Sequence, residues 1–423
     1  LVGDRTTEII WQLIDGETVT DLNRCDSIND GQGCAPMLVD NLQPNQYLKA
    51  LIRDESGDIV IHADYVLINT WFEAYPSIQF SAPGLSNPMF WHTSNGQGNL
   101  VYDSVNHRVL FWGHTKDDFV SSLHRGNSVV GWSLGANQLE ILNVANYRYD
   151  WGVPLEILEE YATDPAPILF NAHNSFAFDP VRNELVMMMG NHTPGSFANE
   201  TTELAYDSSR ESIWRFSLDS NRWTAEESDH IVSIARDQNY ENHLIYMPTY
   251  ESFMYLDALG DNYAWFDPQI GNWVSQVQSN SIPIEGATPY GGDLYKARST
   301  WDSQRQRVIF RNATEVFAFD PSTGTYIDLP NIDMQYSAIT YIAKHDVYLA
   351  VGPEIVDTNN GCNIKTTIFN PTTNLWEELA SAEYFSENCL KLNIVYDQNS
   401  DKVALVENTW KGGYKVLNYQ PID

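Results

Sequence analysis

Two histidines, His173 and His192, bracket the stretch HNSFAFDPVRNELVMMMGNH, with a predicted β-hairpin between them. An imidazole titrates close to neutral pH, so a pair brought together by the fold can move a proton at a substrate. Hydrogen-bonding neighbours flank both, in NAHN and GNHT. His92 and His114, the latter in WGH, repeat the bracketing around an earlier predicted hairpin and are candidate substrate contacts. The remaining six of the ten histidines, His62, His107, His124, His230, His243 and His345, read as ordinary strand-end or core residues.

Several chemistries are excluded or left without a handle. The chain has no G-x-S-x-G elbow, no H-E-x-x-H and no glycine-rich phosphate loop. Glycoside hydrolysis needs two placed carboxylates, and with 56 Asp and Glu no pair stands out. β-Elimination on a uronic acid suits the residue types better. It needs a cation to neutralise the carboxylate, a base of near-neutral pKa for the adjacent proton, and an acid for the leaving oxygen. His and Tyr fit the base and acid; Arg or His fits the neutraliser.

Whether the histidines converge depends on the elements that carry them. One unit recurs: an aromatic, a turn of Asp, Asn, Gly, Pro or Ser, and a large residue seven positions on. It reads WSLGANQL from Trp132, FSLDSNRW from Phe216, FDPQIGNW from Phe266, FDPSTGTY from Phe319 and FNPTTNLW from Phe369. The last four are spaced by 50, 53 and 50 residues, the period of a propeller blade. A second kind of hairpin precedes each, as in LVYDSVNHRVLFWG, FAFDPVRNELVMMMG and STWDSQRQRVIF. Two hairpins per unit make a four-stranded antiparallel blade.

The series resembles the kelch-like β-propellers over residues 73–423, without the double glycine of typical kelch repeats. The expected fold is all-β, a propeller of six or seven four-stranded blades preceded by a small β-sandwich. Six first hairpins can be counted, while irregular strands near 143–170 or 277–295 leave room for a seventh. The strand from Tyr75 to Phe80 is expected to close the ring. In a propeller the inner strand starts at the ligand-binding face and the second strand returns to it. That geometry converges His173 and His192.

With the histidine pair on that face, the chain resembles the secreted propeller polysaccharide lyases, the marine ulvan lyases above all. The resemblance implies that His173 and His192 are the bracketing catalytic pair and that Tyr240, in RDQNYENHLIY, is the catalytic tyrosine. The family's arginine would follow the next hairpin, where this chain reads LDALGDN; the carboxylate-neutralising role then falls to Arg298, in LYKARSTW, or to Arg236. The competing readings are a non-catalytic carbohydrate-binding or adhesion propeller and a protein-interaction scaffold. Under any of them most of the 13 Trp, 23 Tyr and 17 Phe belong to blade cores.

Residues 1–72 read as the sandwich. Leu42, Pro44 and Tyr47 stand in the L-x-P-x-x-Y order of a fibronectin type III module. Cys25 with Cys34 and Cys362 with Cys389 are local pairs without metal-site spacing, and two disulfides of an exported protein are expected. The net charge of −32 excludes nucleic acid as partner. In a salty medium it still permits an anionic polysaccharide gripped by a few local cations. No apolar run is long enough to span a bilayer. The expectation is a secreted monomer with no cofactor, compatible with a structural calcium ion.

Overall fold

The computed structural model describes residues 8–15, 18–26, 46–54, 57–61, 71–73, 77–80, 91–93, 100–115, 128–143, 147–150, 153–157, 167, 176–188, 212–227, 242–257, 262–267, 272–277, 298–312, 315–332, 334, 338–357, 361–385, 392–407 and 413–419. Two compact units emerge, Leu1–Phe72 with Leu417–Asp423, and Glu73–Val416.

Within residues 8–61 the described strands form one antiparallel sheet, ordered Thr18–Asp26, Glu8–Asp15, Gln46–Asp54, Gly57–Ile61. The expectation was a sandwich; among the described residues there is this single layer.

The rest is a six-bladed β-propeller. Blade 1 comprises Val101–Asp103, Arg108–Thr115, Ser128–Ser133 and Gln138–Ile141; blade 2 comprises Phe176–Asp179, Glu184–Met187, Ser212–Ser217 and Arg222–Glu227. Blade 3 holds Asn242–Met247, Ser252–Asp257, Asn262–Asp267 and Asn272–Val277; blade 4 holds Arg298–Asp302, Arg307–Asn312, Glu315–Asp320 and Thr325–Leu329. Blade 5 is Ala338–Ile342, Val347–Asp357, Gly361–Asn370 and Leu375–Phe385; blade 6 is Leu392–Asp397, Lys402–Glu407, Gly413–Asn418 and Trp71–Glu73. The inner strands neighbour one another in order, and that of blade 6 returns to that of blade 1, so the ring closes at six. Where a seventh blade had room, near 143–170, the described residues form a two-stranded hairpin, Tyr147–Asp150 with Val153–Ile157.

Ring closure differs from the sequence expectation. The outer strand of blade 6 is Trp71–Glu73, not Tyr75–Phe80. Ser77–Phe80 instead runs parallel to Gln138–Ile141 and extends blade 1 to a further outer strand.

The repeated aromatic and its partner seven residues on are opposite one another in the outer hairpin: Phe216 with Trp223, Phe266 with Trp273, Phe319 with Tyr326, Phe369 with Trp376. Their ring centroids lie 4.8–5.7 Å apart. Offset and edge contacts at this range add about 0.5–1.5 kcal/mol beyond the area buried.

Cores form between blades. In blade 2, Phe176, Phe178, Leu185 and Met187 pack toward blade 1 with Leu110 and Val129, while Ala177, Val186 and Met188 pack toward blade 3 with Phe253 and Tyr255. A strand buried on both faces reads as a continuous apolar run. This explains the run Leu185, Val186, Met187 and Met188, all buried, which no half-exposed strand would tolerate.

Each first hairpin turns through a residue of positive φ: His107, Asn183, Glu251, Gln306, Asp346 and Asp401, at 46–55°. In four blades a buried aspartate caps the turn. Asp103, Asp179, Asp302 and Asp397 each accept the backbone N–H groups two and three residues on, at 2.9–3.2 Å. Helical structure among the described residues is a single 3₁₀ turn, Pro248–Tyr250, and no helix there is long and apolar enough to cross a membrane.

Candidate functional site

The six inner strands enclose a cavity of about 310 Å³. Equivalent positions of every blade line it. The penultimate residue of each inner strand is aromatic: Tyr102, Phe178, Tyr246, Trp301, Tyr341 and Tyr396. These six rings ring the channel at the turn end of the blades. Three of the hydroxyls are tied to the turns, with Tyr341 donating to Asp346 and Tyr396 to Asp401, both at 2.8 Å, and Tyr102 standing 3.3 Å from Nδ1 of His107. Burial first, then hydrogen bonding to these carboxylates, raises the Tyr341 and Tyr396 pKa values well above the usual range. Burial pushes Tyr246 up to about 12. All stay neutral donors across the physiological range.

Neighbouring blades are clasped at the same turn end. Asn106 donates to Asn183 at 3.1 Å from blade 1 to blade 2. Arg305 forks onto Asp346 at 2.6 and 2.8 Å from blade 4 to blade 5. Lys344 and His345 reach Asp401 at 2.5 and 3.1 Å from blade 5 to blade 6. The hydrogen bond from Arg305 lowers the Asp346 pKa against the opposing effect of burial. At Asp401 burial pulls upward, yet Lys344, Tyr396 and His345 together carry it below the ordinary range. His107, His243 and His345 are thus structural. His243 is fully buried, with Nδ1 2.8 Å from Oγ of Ser299, joining the inner strands of blades 3 and 4.

At the opposite end the inner strands begin, and Arg298, one of the residues the sequence proposes for chemistry, opens that of blade 4. His173, His192, Tyr240 and Arg236 fall outside the described residues. The hairpin flanked by the two histidines is described: Phe176 pairs with Met187 and Asp179 with Glu184, so its strand ends lie side by side. His92 and His114 are register partners, Trp91–Thr93 pairing with the end of the second strand of blade 1. Arg298 opens the inner strand of blade 4 and is the register partner of Arg311. Cys25 and Cys362 lie in strands, while Cys34 and Cys389 fall outside the described residues.

Two polar residues at this end were not singled out from sequence. Arg311 and Asn393 are each 2% exposed. Nε and Nη2 of Arg311 and both amide atoms of Asn393 lack hydrogen-bond partners among the described residues. Asn393 lines the channel. Leaving a buried polar group unpaired costs about 1–3 kcal/mol, more for a charge. Such a group in a native fold is accounted for by an ordered water, an ion, stored strain or a functional role. Among the described residues no group of three or more His, Cys, Asp or Glu stands ready to hold a metal ion.

Comparison with known proteins leaves family membership open. No protein-family model matches the chain, and no curated protein matches it. Among solved structures it is similar to the crystal structure of TolB from Acinetobacter baumannii, at 8% identity and a TM-score of 0.38, over 89% of this chain and 63% of that one. The chain therefore spans less than two thirds of the TolB chain. The six-bladed assignment rests on the closed ring of inner strands.

Proposed function

We propose that the chain is a secreted polysaccharide lyase that cleaves a uronic-acid-containing, ulvan-like polymer by β-elimination at the end of the propeller where the inner strands begin. The observation that carries the reading is the antiparallel pairing of Phe176 with Met187. His173 stands three residues before that pair and His192 five residues after it, so both flank the same end of one hairpin. Arg298 begins the inner strand of blade 4 at the same end.

In this reading one histidine removes the proton beside the carboxylate of the uronate, and the electron pair forms the new carbon–carbon double bond. The bond to the leaving glycosidic oxygen breaks, and Tyr240 or the second histidine supplies that oxygen with a proton. Arg298 or Arg236 neutralises the carboxylate and so stabilises the carbanion-like charge. His92 and His114 extend the contact surface over blade 1. No cofactor is required.

A non-catalytic sugar-binding propeller is the second reading, favoured by the six aromatic side chains around the channel. Incubation with a set of uronic polysaccharides separates the two. The lyase reading expects ultraviolet-absorbing unsaturated products that disappear in His173→Ala; sugar binding with no such product from any polymer leaves the binder.

A further inference from the structure

Arg311 sits in the second strand of blade 4, opposite Arg298 on the inner strand and Val316 on the third. Other arginines of the propeller meet carboxylates. Arg108 reaches Asp103 and Glu140, Arg215 reaches Glu226 and Glu184, and Arg305 and Arg307 reach Asp302. Arg311 has no carboxylate among the described residues, although the chain carries 56 acidic side chains against 24 Lys and Arg. Burial draws its pKa down to about 9, which still leaves the guanidinium charged at neutral pH.

A charge removed from water without a counter-charge is among the costliest arrangements a fold can hold. Simple packing would be served better by a methionine or leucine, which would match the neighbouring Ile309, Val316 and Ile339. A guanidinium presents donors in a planar fork that fits two oxygens of one anion. Register pairing sets a second arginine, Arg298, directly across the strand from it.

We infer that Arg311 makes blade 4 an oxyanion-binding site that takes a carboxylate or sulfate group. The inference does not rest on the lyase reading, because such a site would serve a binding protein equally. A polymer carrying uronate and a polymer carrying sulfate ester offer the same chemistry, and the test tells them apart.

Thermal unfolding of the full chain is followed at constant ionic strength against sodium glucuronate and sodium sulfate, with sodium chloride as baseline and glucose as neutral control. A bound anion raises Tm along a saturating curve, whereas general solvent effects grow linearly. The expected result is saturation with one of the two anions, naming the source, and none with glucose. Arg311→Met should abolish the saturating part. Should that variant fail to fold, Arg311→Lys, which keeps the charge and loses the fork, should weaken apparent affinity by about tenfold. A wild-type response without saturation overturns the inference, as does a response unchanged in either variant. Product formation that survives while the anion response is absent would remove this site alone and leave the lyase reading standing.

Discussion

The two ends of blade 4 handle buried charge differently. At the turn end, Asp302 is fully buried and accepts from the backbone of Gln304 and Arg305, from the side chains of Arg305 and Arg307, and from the Tyr348 hydroxyl. At the other end, Arg311 is buried almost as deeply, with donors open among the described residues. In blade 4 the turn end thus neutralises its buried charge, while the end where the inner strand begins leaves its buried guanidinium unmatched among the described residues.

The comparison can be tested by damaging each end, and the largest effect belongs to neither. A chain beginning at residue 74 lacks the outer strand of blade 6 and exposes an unpaired edge, so it should aggregate, while one beginning at residue 62 should stay monodisperse in size-exclusion chromatography. Equal behaviour of the two would mean that Trp71–Glu73 is dispensable for closure. Next, Asp302→Ala strands Arg307 and the Tyr348 hydroxyl, leaves Arg305 only Asp346, and should lower stability by about 3–5 kcal/mol in a urea titration, with activity per folded molecule unchanged.

At the opposite end the signature reverses. His173→Ala and His192→Ala should each cut turnover by about 10² or more with Tm nearly constant, and Tyr240→Phe should follow them. Full activity in the double histidine variant would dissolve the functional half of the contrast. The smallest effect is electrostatic. Asp346 and Asp401 have folded pKa values below their unfolded ones, so their contribution is whole above about pH 4 and falls away as pH drops through the folded values. Asp346→Asn should therefore lower Tm at neutral pH by the worth of one forked ion pair, about 1 kcal/mol, and flatten the acid limb of the Tm–pH curve. An unchanged acid limb would show that the clasp between blades 4 and 5 contributes nothing.

Sequence carried the blades well because the aromatic at Phe216, Phe266, Phe319 and Phe369 must face its partner across a hairpin, and that requirement fixes a visible spacing of seven. It failed at ring closure. SIQF alternates as a strand should, whereas the three residues Trp71–Glu73 are too short to show any period. Arg311 escaped notice for a related reason. At the end of RVIFRN an arginine reads as the polar side of a half-exposed strand, but a blade is covered on both faces and so encloses it. His243 shows the reverse: a histidine in the right neighbourhood whose Ser299 contact makes it an ordinary core residue. Four residues proposed for catalysis and its cation, His173, His192, Tyr240 and Arg236, fall in sequence outside the repeated hairpin motifs, where periodicity gives no guide to position.

Closure of blade 6 by Trp71–Glu73 also sets a timetable for folding. During synthesis this strand leaves the ribosome long before its partner, Gly413–Asn418, has been translated. Blades 1 to 5 can each dock on the one before as they emerge, but the last seam waits for the whole ring. Until then blade 6 has a raw edge and the early strand has no sheet to join. Pairing strands about 340 residues apart in sequence makes that final step the slow one, so the exposed edge of blade 6 is the propeller's point of greatest risk before it is finished.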